Sequence, residues 1–138
     1  MSSTVFFTIF ILVLIVILFV LVAISQRGVN DTKKKKILEK VENLKFGAES
    51  SELAIRRDTI IKLDNLLSRS LQLYYNNDLS CGDNLKKAEK IFRKNEYNDL
   101  WSAHKMRNVI VHDDYEISQE EGKTVYNTYR LSIIKILR

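Results

Sequence analysis

The sequence predicts an all-α protein: a single N-terminal transmembrane helix followed by a four- to five-helix antiparallel bundle. Three observations carry this prediction. No proline interrupts the 138 residues, so long helices are permitted. Residues Val5 to Ile24, VFFTIFILVLIVILFVLVAI, hold no charge and one polar side chain, Thr8. Beyond Lys33 the apolar residues recur at threes and fours rather than in alternation, the period of helices with one buried face.

The apolar run comes first. Twenty residues rising about 1.5 Å each match a hydrocarbon layer of about 30 Å. A helix apolar on every face suits lipid better than a water-soluble bundle. A cleaved signal peptide is the competing reading, with Ala23 and Ser25 as a small-residue pair. Against it, the opening residues Met1 to Thr4 carry no basic group, and the run exceeds the usual apolar core of about 7–15 residues. An uncleaved anchor over residues 1–25 is therefore expected.

Arg27, Lys33, Lys34, Lys35 and Lys36 follow the run in a basic juxtamembrane linker, residues 26–36, and no lysine or arginine precedes it. Positive charge resists translocation. The short N-terminus is thus expected outside and the bundle, residues 37–138, in the cytoplasm. These five cations are the expected membrane-surface residues, facing anionic headgroups of the lipid bilayer. They also account for most of the net charge of +5. Removing them from 22 basic residues, and Asp31 from 17 acidic ones, leaves 17 against 16 in the bundle. Any nucleic-acid surface there must be a local patch.

Ser25 to Thr32, with Gly28, reads as a polar connector. A first bundle helix is expected over Lys33–Lys45, with Ile37, Leu38, Val41 and Leu44 inward and Phe46-Gly47 ending it. Ser50 or Ser51 is expected to cap a long second helix, whose stripe is Leu53, Ile60, Leu63, Leu67, Leu71 and Tyr74. Asn76 to Gly82 reads as a loop. Asp83 then caps a short helix carrying Leu85, Ala88, Ile91 and Phe92, and Asn95 marks a turn into a helix over Glu96–His112. Val109, Ile110 and Val111 are β-branched but continue its helical pattern. Ser118 and Glu121 form a capping box for the last helix, which runs toward Leu137 with Val125, Tyr129, Ser132 or Ile133, and Ile136 inward.

The single cysteine, Cys81, agrees with a reducing compartment, and one cysteine with two histidines gives thin support for a metal. No metal or cofactor is expected. Chemistry concentrates instead in AHKMRNVIVHDD, residues 103–114. On a helix His104, Asn108 and His112 line one strip at intervals of four. Arg107 and His112 are five apart, about 140° around an ideal helix. They can meet only if the helix distorts or a second copy contributes one of them. A guanidinium offers a fixed fork of donors to phosphate oxygens, and an imidazole titrates near neutrality. Asn108 can orient the imidazole or donate to phosphate, while His104 and Lys105 can add to substrate binding. With RNA the 2′-hydroxyl supplies the nucleophile. The plain reading of the same residues is the polar end of a helix, where the dipole favours cations. Trp101, Tyr74, Tyr97, Tyr126 and Tyr129 are expected to pack. Asp113 and Asp114 begin a turn or pair with Arg107 or His112.

The stretch LWSAHKMRNVIVHDDYEIS, leading into a long terminal helix, resembles the end of the HEPN superfamily of small all-helical domains. Many members are metal-independent ribonucleases of toxin–antitoxin, anti-phage and RNA-processing systems. Their hallmark is an arginine, often followed by a polar residue, with a histidine four to six positions after the arginine. Arg107, Asn108 and His112 match that pattern, and the resemblance implies that they are catalytic. It implies also a homodimer that brings the motifs together, and cleavage to a 2′,3′-cyclic phosphate and a 5′-hydroxyl. It covers Ile37 to Leu137, with the motif confined to Leu100–Asp114. RNA and an antitoxin or other protein are the implied partners. Some family members are non-catalytic, so the alternative expectation is a membrane-tethered interaction or scaffold module.

Overall fold

The computed structural model describes residues 3–138, so Met1 and Ser2 of the expected anchor lie outside the described residues. Every regular element is helical: α1 (Ser3–Asn43), α2 (Lys45–Ala48), α3 (Leu53–Tyr75), α4 (Cys81–Lys87), a 3₁₀ turn (Ala88–Ile91), α5 (Lys94–His112) and α6 (Gln119–Leu137). The chain divides into two compact units, with the division between Lys33 and Lys34.

In the first unit the large apolar side chains from Val5 to Ile24 are all exposed, between 42% for Val5 and 69% for Phe19. This is the one described helix whose length and composition suffice to cross a membrane. Exposed apolar surface of this extent is unfavourable in water. The expected connector Ser25–Thr32 is helical, because α1 runs on to Asn43. Without proline, the largest single local penalty is Gly28, about 1 kcal/mol relative to alanine. The Thr32 hydroxyl donates to the Gly28 carbonyl at 2.9 Å without breaking the helix.

In the second unit, α3 and α6 form the centre, with α4 and α5 packed against α3 and α5 also against α6. Ile60, Leu63, Leu67 and Leu71 of α3 meet Val125, Tyr129, Ile133 and Ile136 of α6 in one core, joined by Ile37 and Val41. Ser132 is buried beside Ile133. Each of these positions follows the expected stripes. Tyr74 does not; it is 54% exposed at the end of α3, edge-on to Tyr75.

Helix ends show where local chemistry wins. Ser118 accepts from Glu121 N at 3.2 Å while the Glu121 carboxylate accepts from Ser118 N at 2.8 Å, the reciprocal box read from sequence. Ser80, not Asp83, caps α4: its hydroxyl accepts from Asp83 N, so Cys81 and Gly82 belong to the helix and not to the loop. For α3 the N-cap is Glu52, one residue beyond the expected serines, and Ser50 accepts from its N–H. The helix expected from Glu96 begins at Lys94, where the Glu96 carboxylate accepts from Arg93 N at 2.8 Å.

One buried arginine ties two connections together. Arg56 donates through Nε to the Ile117 carbonyl at 2.9 Å and through a terminal nitrogen to the Ser50 carbonyl at 2.6 Å. Beside it Gly122 approaches the Ala48 carbonyl so closely that a Cβ there would collide with it. These contacts fix the turn that carries α5 into α6.

Candidate functional site

The polar centre of the bundle is Asp64, on the inner side of α3 and 4% exposed. In sequence it sits within the stripe Ile60, Asp64, Leu67, Leu71. A carboxylate on a buried face is costly unless donors surround it. They do. His104 Nδ1 lies 2.7 Å from Asp64 Oδ1, and the Tyr129 hydroxyl donates to the same oxygen at 3.0 Å. A carboxylate only accepts, so Nδ1 carries the proton and Nε2 faces the start of α4 at Gly82. Cys81 Sγ is 4.0 Å from Oδ1, and Arg107 Nε is 3.6 Å from Oδ2.

Burial, and then the negative charge of Asp64, push the Cys81 thiol well above its ordinary range; the Arg107 charge opposes this. The Tyr129 hydroxyl is raised for the same reasons in the same order. Both groups are therefore neutral donors rather than nucleophiles. Asp64, Cys81 and His104 bring their ligand atoms within 4.8 Å of one another. A metal there would have to displace the short Asp64–His104 hydrogen bond and sit beside a guanidinium. The donor set suits a hydrogen-bonded hub better than a cation.

Arg107 is joined to this hub at its inner end. Its Nε is buried and without a hydrogen-bond partner, because 3.6 Å is an ion-pair distance and too long for a hydrogen bond. The side chain as a whole is still 26% exposed, and one terminal nitrogen donates to Asn108 Oδ1 at 3.0 Å. Hence Arg107 and Asn108 are adjacent in space as in sequence. His112 is the last residue of α5 and is exposed. No hydrogen bond or ion pair joins it to Arg107 or Asn108 among the described residues. Lys105 is exposed, lining a shallow recess with Asn98, Trp101 and Ser102.

His104, expected as an accessory phosphate contact, is instead the histidine that shares a carboxylate with Arg107. Its side chain is 12% exposed, and Trp101 stands edge-on to it at 5.8 Å. Asp114 pairs with Arg57 at 3.8 Å rather than with Arg107 or His112. Arg57 also donates to the Ile110 carbonyl at 2.7 Å, closing the end of α5 against α3. Asp64, Cys81 and Tyr129 were missed as members of the site. The legible signal for Asp64 was a charge inside an apolar stripe; Tyr129 carried none, since an inward tyrosine reads as packing.

No protein-family profile, curated protein or solved structure matches this chain.

Proposed function

We propose that the chain is a membrane-tethered HEPN-type ribonuclease. Its bundle is cytoplasmic and its active unit is a pair of copies. Arg107 and Asn108 of one copy hold the scissile phosphate of RNA, and His112 of the other moves the protons. The substrate's 2′-hydroxyl attacks phosphorus and loses its proton to the imidazole; the bond to the 5′-oxygen breaks, and that oxygen takes a proton back. The products are a 2′,3′-cyclic phosphate and a 5′-hydroxyl. Asp64 positions Arg107 from beneath.

The observation that carries this reading is the contrast between Arg107, tied inward to a buried carboxylate, and His112, left open to solvent five residues later. Such an offset fits a site completed by a second copy. Val109 and Val111, 40% and 44% exposed on the same segment, supply apolar surface for that copy to cover. Tethering both copies in one bilayer raises their effective concentration. The basic residues Arg27 and Lys33 to Lys36 support the cytoplasmic placement and contact with anionic headgroups.

The test is cleavage of a labelled single-stranded RNA by the full chain, with and without EDTA. His112→Ala is expected to abolish cleavage with helical content unchanged, and EDTA to have no effect. Mixing Arg107→Ala with His112→Ala copies should restore about a quarter of the sites, because half the pairs are mixed and each mixed pair holds one intact site. Equal cleavage by the wild type and His112→Ala refutes the assignment.

A second reading is a non-catalytic tethered module that docks an antitoxin or another protein. Its supporting observation is that Asp64 already offsets part of the Arg107 charge that a phosphate would need. It predicts no RNA cleavage and partner binding indifferent to His112→Ala.

A further inference from the structure

A separate concave surface lies between the last turn of α1 and the middle of α3, with a cavity of about 380 Å³. Its cations are Lys40, Lys62 and Arg69, and no carboxylate lines it. Lys62 is half committed, at 2.5 Å from Asp58, one turn before it on α3. Lys40 and Arg69 have no anionic partner among the described residues. The bundle as a whole is almost neutral, so this uncompensated charge is local, and it is concave.

The remaining lining gives the groove a recognisable character. Asn43 and Asn65 add carboxamide donors, and Leu44 with the buried Leu66 makes an apolar floor. A phosphoryl group fits the charged rim, and the volume left over accommodates a small carbon skeleton on the leucines. The groove is independent of the Asp64 hub. On α3, Arg69 and Lys62 stand about 140° and 160° around the helix from Asp64, facing away from Arg107.

We infer that this groove binds a phosphate ester with a small carbon skeleton, either a soluble phosphorylated metabolite or the headgroup of an anionic lipid. Arg69 and Lys40 hold the phosphoryl oxygens, and Leu44 and Leu66 support the attached carbons. The site stands whether or not the chain cleaves RNA.

The test uses the full chain in maltoside micelles, which contain no phosphate, titrated calorimetrically with glycerol 3-phosphate and with dihexanoyl phosphatidic acid. Arg69→Gln and Lys40→Gln are each expected to weaken binding about tenfold through loss of a charge-assisted contact. Arg69→Lys should retain part of it, and Lys123→Gln, an exposed change on α6 outside the groove, should change nothing. Because Lys40 and Arg69 are exposed, the variants keep their circular dichroism. Tighter, Arg69-dependent binding of the acylated probe identifies a lipid headgroup; equal affinities identify a soluble ester. Absence of binding by both probes, or a Lys40→Gln/Arg69→Gln double variant that binds like wild type, overturns the inference.

Discussion

Asp64→Asn isolates the hub with almost no change in volume. In the native bundle one buried oxygen accepts from His104 at 2.7 Å and from Tyr129 at 3.0 Å, and the other faces Arg107 at 3.6 Å. Asparagine keeps one acceptor but turns an amide donor toward one of the donors that surround it. Each of two charge-assisted bonds falls to an ordinary one, a loss of about 1 kcal/mol apiece, and Arg107 Nε is left facing a donor at a further cost of about 1–2 kcal/mol. The sum, about 3–4 kcal/mol, sits in the lower part of the cost of breaking a buried ion pair. For a domain of about 100 residues it lowers the melting temperature by about 12–32 °C. The assay is near-ultraviolet circular dichroism of the full chain in neutral nanodiscs during heating, which follows the bundle's tyrosines. Tyr129→Phe, removing one donor, should cost about 1–2 kcal/mol in the native background and much less in the Asp64→Asn background. A melting temperature within about 3 °C of wild type for Asp64→Asn, or strict additivity of the two changes, refutes the hub.

Other outcomes follow from single contacts. Gly122→Ala should destabilise by about 1–3 kcal/mol through collision with the Ala48 carbonyl, although alanine in an open helix position gains about 1 kcal/mol; a raised melting temperature would contradict the packing. Cys81, its thiol held above the usual range by burial and Asp64, should react with iodoacetamide at pH 8 at least about tenfold more slowly than free cysteine, and at the free rate only once unfolded. Glu96 is held down to about 2 by Lys135, and by the Arg93 backbone and side chain. A depressed carboxyl stabilises above its unfolded value and loses that contribution as pH falls toward about 2, so Glu96→Gln should flatten stability measured between pH 4.5 and 2. Tyr129 is shifted the other way, upward by burial and Asp64. Its contribution is full below the ordinary tyrosine value of 10.0 and disappears above it, so Tyr129→Phe should weaken the alkaline loss of stability in a pH titration.

What the amino-acid order determined by itself is everything governed by period and by neighbours three or four residues away. The apolar run, the inward faces of α3 and α6, and the Ser118–Glu121 box are contacts within one helix or one turn, so the chain's local spacing specifies them. The position of Arg107 beside Asn108 was legible for the same reason. Helix ends were less so, because Ser80, Asp83, Ser50 and Glu52 all have capping chemistry and only the packed backbone selects among them.

Tertiary structure alone decided the rest. Asp64, Cys81, His104, Arg107 and Tyr129 come from four helices, and a buried carboxylate gathers donors by proximity in space, for which sequence spacing carries no code. That gathering made His104, rather than His112, the histidine next to Arg107. It also left His112 at a solvent-facing helix end, and it moved Asp114 to Arg57. The apolar stripe of α3 did contain the clue, since an aspartate between Ile60 and Leu67 must find partners; which partners depends on how α3 meets α5 and α6.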